Sequence, residues 1–216
     1  CMDPSLPSKE LTEDQVSASA LLAAGVASGT YGTTLLRGVT GSGKTEVYLE
    51  AVAAALKSGR QALVLLPEIA LTEQFLHRVQ ARFGAKPAEW HSGATMTERR
   101  RIWKMVGQGQ AQVVIGARSA LFLPFQNLGL IVVDEEHDTS YKQEEGVLYN
   151  ARDMAVLRAS ICGAQVVLAS ATPSLESWAN AEAGKYTRVE LTSRFGPAVM
   201  PTMGAIDMRS EGLPSD

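Results

Sequence analysis

The sequence predicts a three-layer α/β fold, in which helices cover both faces of a mainly parallel sheet. Two observations support this prediction. Short runs of apolar residues recur along the chain without polar alternation, and amphipathic helical patterns lie between several of them. Strands of a parallel sheet are buried on both faces and therefore lack the alternation of half-exposed strands. They also need crossover connections of helical length, which the chain provides.

The predicted strands and helices follow one another along the middle of the chain. Continuous apolar runs predict strands at residues 33–37, 62–66, 112–115, 130–133 and 165–169. Apolar residues at helical spacing follow the first two runs, and Gly59 and Gly84 supply the stop signals of these helices. We therefore expect one folded lobe over residues 11–192.

The two ends of the chain differ from this middle part. Residues 1–10 are rich in proline and serine and have no apolar periodicity. We expect this segment to be a disordered leader or a remnant of cloning. Residues 193–216 contain three prolines, so we expect a linker or an extended segment there.

Composition and charge exclude several classes of protein. Hydrophobic residues make up 45% of the 216 residues and charged residues 20%, which excludes a disordered or fibrous chain. The net charge is −3, from 20 Lys and Arg against 23 Asp and Glu. Binding to an anionic polymer would therefore need a local basic patch. At about 150 residues per domain, the length fits one large domain or two small ones.

Cysteine usage and hydropathy narrow the class further. The cysteines are Cys1 and Cys162, and neither lies in a C-x-x-C pair. We therefore expect neither a disulfide framework nor a zinc site. No apolar run approaches the ~18 residues of a membrane span, and no signal-peptide pattern is present. We expect a soluble protein of a reducing compartment that has no membrane partner.

Residues 38–45, with the sequence GVTGSGKT, match the phosphate-loop pattern G-x-x-x-x-G-K-[ST] at every fixed position. The pattern lies between a predicted strand and a predicted helix. Glycines allow backbone N–H groups to converge on phosphates, and a helix N-terminus favours anions. The alternative is a glycine-rich turn that only joins the strand to the helix. Lys44 would reach the β- and γ-phosphates, and the Thr45 hydroxyl would bind Mg²⁺. The other candidate nucleotide-binding residues in the loop are Gly38, Thr40, Gly41, Ser42 and Gly43.

A pair of carboxylates follows the strand predicted at residues 130–133. Asp134 and Glu135 come directly after this buried strand. Beside a phosphate loop, Asp134 would orient Mg²⁺, and Glu135 would position or deprotonate the attacking water. The candidate catalytic residues are therefore Lys44, Asp134 and Glu135. The alternative is a solvated acidic turn that caps the strand.

Polar residues lie near the same predicted edge of the sheet. Ser170 and Thr172 follow the last predicted strand, and we expect their hydroxyls near the ligand crevice of an open α/β sheet. Capping of the helix that starts near Ser174 is their alternative role. The other histidines lie in unrelated segments, so for His137 a contact with this serine–threonine segment is favoured over metal binding.

The motifs GVTGSGKT, DEEH and SAT, in this order, resemble the first motor lobe of a superfamily 2 nucleic-acid helicase. Further stretches resemble those members of the superfamily that act in bacterial replication restart. They are residues 67–72, 91–93, 116–119 and 134–153, the last with the sequence DEEHDTSYKQEEGVLYNARD. The resemblance covers roughly residues 11–191. The long run after DEEH is the most specific part, because helicases in general do not share it.

This resemblance implies a RecA-like P-loop lobe of an ATP-driven 3′→5′ DNA translocase, which opens forked DNA in the bacterial cytoplasm. It implies ATP and Mg²⁺ as cofactors, without zinc in this part of the protein. The implied partners are single-stranded and forked DNA, a second lobe in cis, primosome proteins and single-strand-binding proteins. Residues 193–216 would lead toward that second lobe, which supplies an arginine finger. We therefore expect this lobe to hydrolyse ATP slowly on its own.

The resemblance also implies roles for residues near the nucleotide. Gln15 matches the adenine-reading glutamine of related motors. His137, Ser170 and Thr172 would couple the state of the nucleotide to the grip on DNA.

DNA contacts are implied at three places in the chain. Residues 67–72, together with Arg118 and Ser119, would touch the DNA backbone. Residues 140–152 resemble an aromatic-rich loop that senses single-stranded DNA. Val147 stands where the family pattern has an aromatic residue, so base stacking would depend on the two tyrosines. The candidate contacts in this loop are Tyr141, Lys142, Tyr149 and Arg152.

Two other classes of function are consistent with the phosphate loop or the fold. A small-molecule P-loop kinase or a nucleotide switch would need a lid segment, and no arginine-rich lid is evident. A non-catalytic lobe that docks DNA or a protein would keep the fold without depending on Lys44.

Overall fold

A parallel sheet forms the middle layer of the structure, a computed structural model that describes residues 1–136, 138 and 150–192. The strands lie in the order β3-β4-β2-β5-β6-β1-β7, and every described pair of neighbours is parallel. Their bounds are β1 (Gly32–Gly38), β2 (Gln61–Leu65), β3 (Ala88–Trp90), β4 (Val113–Gly116), β5 (Leu128–Asp134), β6 (Gln165–Ser170) and β7 (Thr187–Leu191). The predicted α/β fold with a mainly parallel sheet is confirmed.

Helices cover both faces of this sheet. They are α1 (Glu13–Ala27), α2 (Lys44–Lys57), α3 (Glu73–Phe83), α4 (Met96–Gly107), α5 (Ala151–Cys162) and α6 (Leu175–Glu182). Helices α1 to α3 pack on one face, and α4 to α6 pack on the other. None of these described helices is long and apolar enough to cross a membrane.

Strand β5 shows why the central strands appear as continuous apolar runs. Leu130 and Val132 belong to the core on the α1 side, whereas Ile131 and Val133 belong to the core on the α4 side. All these side chains are fully buried. Because neither face of such a strand meets solvent, apolar residues can occupy successive positions without polar alternation.

Short-range signals set the ends of the helices. Thr12 and Thr95 begin α1 and α4 with capping boxes, in which Gln15 and Glu98 return the hydrogen bond. Gly84 ends α3 in the left-handed conformation, with φ 75°. These devices satisfy backbone groups that helix ends leave without an intrahelical partner.

The edge strands were not predicted from the sequence. Strand β3 has three half-buried residues, and in β7 only Val189 and Leu191 are buried. An edge strand has one neighbour and meets solvent on more sides than a central strand. Its sequence therefore lacks the continuous apolar run that reveals the central strands.

Residues 1–10, expected to be a disordered leader, pack against α3 in the structure. Met2 is buried in the core. The Asp3 N–H donates to the Phe83 carbonyl over 2.8 Å, and the Arg82 guanidinium donates to the Leu6 carbonyl over 2.8 Å. Backbone hydrogen bonds and one apolar side chain hold the segment, and neither leaves a periodic pattern in the sequence. Residues 193–216 lie outside the described residues.

Candidate nucleotide-binding site

The loop between β1 and α2 turns tightly around its glycines. Gly41 and Gly43 have φ of 82° and 84°, values that favour glycine. A Cβ on Gly38 would lie 2.3 Å from the Ser42 Oγ. The Ser42 N–H closes the turn by donating to the Val39 carbonyl over 3.0 Å. Helix α2 begins directly after the loop without a side-chain cap, so its first N–H groups and positive dipole end suit an anion.

Lys44 lies between this loop and the acidic end of β5. Its ammonium donates to the Gly38 carbonyl over 2.6 Å and to the Val39 carbonyl over 3.3 Å. Burial lowers the pKa of the Lys44 ammonium, and the nearby carboxylates of Asp134 and Glu135 oppose this shift. The predicted trio of one cation and two carboxylates is thus close together in the structure.

Tyr48 of α2 fixes the position of the Asp134 carboxylate through a hydrogen bond. The Tyr48 hydroxyl, which is fully buried, donates to Asp134 Oδ2 over 2.7 Å, while the Glu135 N–H donates to Oδ1 over 2.8 Å. Burial raises the pKa of Asp134, and the hydrogen bond from Tyr48 opposes this shift. Burial and the Asp134 charge raise the pKa of Tyr48 well above its usual range, so its hydroxyl stays a neutral donor. The Thr45 side chain also interacts with this hydroxyl.

Sequence reasoning missed Tyr48, although a signal was available. The residue stands four positions after Lys44, so both lie on one side of α2. A tyrosine on the buried face of a helix usually finds a hydrogen-bond partner for its hydroxyl. The available partner could have been sought among the carboxylates at the end of the neighbouring strand.

Glu135 has an unusual backbone conformation. With φ 51°, it is the one non-glycine residue with a positive φ in the described part of the chain. For a residue with a Cβ, the left-handed region costs roughly 1–2 kcal/mol. Such strain often lies at functional sites. The Glu135 carbonyl accepts from the Asp138 N–H over 2.8 Å, which closes a turn directly after β5.

Glu136 turns into the protein rather than toward solvent. Its carboxylate is completely buried and accepts from the Ser174 N–H over 2.7 Å, the Ser174 hydroxyl over 3.1 Å and the Ser177 hydroxyl over 3.0 Å. The Arg152 guanidinium lies 3.5 Å away. Glu136 therefore connects the end of β5 to the beginning of α6.

Gln15 contacts the phosphate loop from α1. Its side chain, 5% exposed, donates to the Ser42 carbonyl over 2.9 Å and accepts from the Thr12 N–H over 3.0 Å. A Cβ on Gly43 would come within 2.3 Å of Gln15 Nε2. The predicted adenine-reading residue is thus fixed at the edge of the loop.

The expected coupling residues lie partly within the described structure. Ser170 is buried at the end of β6, between β5 and β1, and its hydroxyl accepts from the Thr172 N–H over 3.0 Å. The structure thus brings Ser170 to the same edge of the sheet as Asp134. His137 lies outside the described residues.

The expected DNA contacts fall into three groups. Arg118 and Ser119 begin a short 3₁₀ helix after β4, and they line a groove of about 510 Å³ together with residues 66–69. Ser119 is exposed and accepts from Trp90 Nε1 over 3.2 Å. The candidates outside the described residues are Tyr141, Lys142 and Tyr149.

Arg152 forms the third group and differs from the other candidates. It is 5% exposed, and its guanidinium donates to the Ser174 hydroxyl over 2.7 Å. Burial alone would lower the pKa of Arg152, but the carboxylates of Asp153, Glu136 and Glu176 raise it. The structure therefore gives this guanidinium partners inside the lobe.

The residues around the loop fit a magnesium–nucleotide complex. A cavity of about 370 Å³ is lined by the phosphate loop, Gln15, Asp134 and Glu135. Ser42 Oγ is buried with no hydrogen-bond partner among the described residues. Within the described ranges no group of three or more His, Cys, Asp or Glu could hold a metal. Mg²⁺ does not need such a group, because it typically uses one or two carboxylates together with phosphate oxygens and water.

Residues 12–181, most of the chain, match the family model of the DEAD/DEAH box helicases. The chain belongs to the DEAD/DEAH box helicase family. The resemblance to the first motor lobe of a superfamily 2 helicase is thereby confirmed. A helicase domain uses a nucleoside triphosphate and Mg²⁺, in agreement with the donor groups around the loop.

Among curated proteins, this helicase-family chain is similar to replication restart protein PriA from several bacteria. It is 51% identical over 180 residues to PriA of Rickettsia felis and 48% identical over 177 residues to PriA of Bacillus subtilis. These matches cover 83% and 82% of the chain, which spans 28% and 22% of the length of the two relatives. The expected similarity to replication-restart helicases is confirmed.

Solved structures of helicases share the fold. RecG bound to a three-way DNA junction is 28% identical with a TM-score of 0.66, over 89% of this chain and 25% of that one. The Pyrococcus furiosus Hef helicase domain is 18% identical with a TM-score of 0.56, over 81% of this chain and 37% of that one. At that identity, Hef supports the fold alone.

Proposed function

We propose that this chain is the ATP-binding lobe of a 3′→5′ DNA helicase that acts in replication restart at forked DNA. The observation that carries the proposal is the convergence of Lys44, Asp134 and Glu135 on the phosphate loop. Similarity to PriA proteins over more than four fifths of the chain supports the restart role. Hydrolysis would drive translocation only together with a second lobe.

The backbone of the phosphate loop binds the phosphates in this proposal. The N–H groups of residues 38–45 and the start of α2 surround the anion, and Gln15 contacts the adenine. Lys44 would exchange its loop carbonyls for phosphate oxygens, which form stronger charge-assisted hydrogen bonds.

The carboxyl end of β5 supplies the remaining groups. Thr45 and Asp134 would hold Mg²⁺, which neutralises charge on the phosphates when bound. Tyr48 keeps the Asp134 carboxylate oriented through its 2.7 Å hydrogen bond. Glu135 orients a water toward the γ-phosphate and accepts its proton.

The DNA partner is proposed at the groove beside β4. Arg118 and Ser119 lie at the carboxyl edge of the sheet, as does the nucleotide site. Together with Tyr141, Lys142 and Tyr149, they would contact the DNA. The 28% identity to RecG, whose structure holds a three-way DNA junction, supports a DNA partner.

The wider setting follows from the same proposal. Single-stranded and forked DNA, the second lobe in cis, primosome proteins and single-strand-binding proteins would be the partners, in the bacterial cytoplasm. The alternatives of a small-molecule kinase and of a docking lobe are not favoured, because the chain belongs to a helicase family.

Nucleotide binding by this chain tests the proposal directly. A fluorescent ATP analogue with Mg²⁺ should bind the wild type, and Lys44→Ala should weaken the affinity at least about 100-fold, since several charge-assisted contacts are lost. Lys57→Ala, an exposed lysine at the far end of α2, is the matched control and should bind normally. Absence of binding by the wild type would overturn the proposal.

Steady-state hydrolysis then tests the helicase role. In the full-length protein, single-stranded DNA should stimulate ATP turnover, and Lys44→Ala should abolish it. The present chain should hydrolyse ATP at least about 10³-fold more slowly than the DNA-stimulated full-length protein, because an arginine finger contributes ~10³–10⁵ in rate. DNA-independent turnover in the full-length protein would contradict a DNA motor.

A further inference from the structure

The strained backbone at Glu135 requires support from its neighbours. Its φ of 51° places the proposed catalytic carboxylate on a left-handed turn at the end of β5. On the N-terminal side, the Glu135 N–H is fixed by Asp134 Oδ1 over 2.8 Å. On the C-terminal side, the Glu135 carbonyl accepts from the Asp138 N–H over 2.8 Å, and the next residue, Glu136, is itself held to neighbouring elements.

Glu136 is fixed by both its backbone and its side chain. Its N–H donates to the Ala169 carbonyl of β6 over 3.1 Å. Its carboxylate accepts three hydrogen bonds from Ser174 and Ser177, over 2.7, 3.1 and 3.0 Å. These contacts hold the residue after Glu135 to two separate elements, β6 and α6.

The charge of Glu136 is compensated although its side chain has no exposed surface. Ser174 is the N-cap of α6, so the carboxylate accepts a backbone N–H at the positive end of a helix. The Arg152 guanidinium, 3.5 Å away and 6% exposed, supplies the opposite charge. A smaller or apolar residue would leave Ser177 and Arg152 without this acceptor.

We propose that Glu136 is a positioning residue that acts through Glu135. It anchors the turn after β5 to α6 and so holds the left-handed backbone that directs the Glu135 carboxylate toward the nucleotide cavity. Glu136 itself contacts neither nucleotide nor water in this proposal. The inference rests on the catalytic role proposed above for Glu135.

The test is a double-mutant cycle in the full-length protein. Glu136→Gln should lower the kcat of ATP hydrolysis about tenfold, since small displacements of a catalytic group have large effects on rate. The KM and the affinity for the Mg²⁺–nucleotide should stay within about twofold, because Lys44 and the loop are untouched. In a Glu135→Gln background, Glu136→Gln should add less than about twofold, because residues that act as a unit are not additive.

Glu176→Gln is the matched control. The Glu176 carboxylate also faces Arg152, at 3.8 Å from the same nitrogen, but it is 66% exposed. Its loss removes the same formal charge from the surroundings of Arg152, in a more screened position, and should leave kcat within about twofold. If Glu136→Gln does not fold, Ser177→Ala removes one anchoring hydrogen bond and should lower kcat about threefold, with the same absence of additivity.

Each outcome separates the inference from the function on which it rests. If Glu135→Gln alone leaves turnover unchanged, the catalytic role of Glu135 is wrong, and the inference fails with it. If Glu135→Gln lowers turnover but Glu136→Gln does not lower kcat, only the inference is overturned. Equal losses from Glu136→Gln with and without Glu135 would also overturn it, since they indicate a general effect on the fold.

Discussion

Replacing Tyr48 by phenylalanine tests how the magnesium site is built. The substitution keeps the buried ring and removes the hydroxyl that donates to Asp134 Oδ2 over 2.7 Å. The ring lies in the core between α2 and the sheet with no exposed surface. Water therefore does not reach the place of the lost hydroxyl, and the carboxylate keeps only the Glu135 N–H of these two donors.

The size of the effect follows from the kind of bond that is lost. A hydrogen bond to a charged acceptor contributes about 1.5–3 kcal/mol. Removal of a group that orients a metal ligand typically weakens metal affinity by about 10–100-fold. We therefore expect the Mg²⁺ concentration needed for half-maximal nucleotide binding to rise about 10–100-fold in Tyr48→Phe. Binding measured in EDTA should not change, because the phosphate loop is intact.

The assay is a Mg²⁺ titration at a fixed concentration of a fluorescent ATP analogue. Tyr31→Phe is the matched control. It also removes a tyrosine hydroxyl that hydrogen-bonds a side chain, here the Thr33 hydroxyl over 2.8 Å, and neither residue lines the nucleotide cavity. Thermal denaturation of both variants measures the general loss of stability. An unchanged Mg²⁺ dependence in Tyr48→Phe would refute the reasoning and leave Tyr48 as a packing residue.

Three further substitutions test the loop and the core. Gly43→Ala places a methyl group 2.3 Å from Gln15 Nε2. Gly59→Ala is its control, because Gly59 also has a positive φ but a Cβ there meets no atom within 4 Å. Calorimetry should detect about tenfold weaker nucleotide binding by Gly43→Ala than by Gly59→Ala. Equal affinities would contradict the clash. Gln15→Ala should reduce the preference for ATP over GTP about fivefold in competition assays, the effect of one hydrogen bond. An unchanged preference would remove Gln15 from the adenine site. Leu130→Ala should lower the free energy of unfolding in urea by about 2–5 kcal/mol, whereas Leu157→Ala, 52% exposed, should change it by less than about 0.5 kcal/mol. Similar losses in both would contradict the assigned burial.

The fold could be predicted from the sequence because the central strands are buried on both faces. The apolar runs at 130–133 and 165–169 fall inside β5 and β6. The edge strands β3 and β7 could not be found in this way, because half-buried residues leave no continuous run. Their pairing depends on neighbours that are distant in sequence, and a single sequence does not reveal those neighbours.

The site was predictable where its chemistry fixes the spacing of residues. A phosphate loop needs glycines and a lysine in one short stretch, and Asp134 needs the end of a buried strand beside it. Tyr48 and Glu136 carry no such spacing, since their partners lie 86 and 38 residues away. Glu136 also stands in a run of acidic residues, which in sequence alone is typical of a solvated turn. Its interior partners, Ser174 and Ser177 at the start of α6 and Arg152 of α5, come next to it through the tertiary fold.

The position of β1 in the sheet has a consequence for synthesis of the protein. Although β1 lies near the beginning of the chain, its neighbours are β6 and β7, so Gly32 pairs with Gln165 and Thr34 with Thr187. Among the described strands, the one that carries the phosphate loop therefore has no sheet partner until residues 165–191 have emerged from the ribosome. At about 5–20 residues per second, that interval is roughly 8–30 s. We expect a nascent chain to gain its affinity for nucleotide only after residues 165–191 have emerged and can pair with β1.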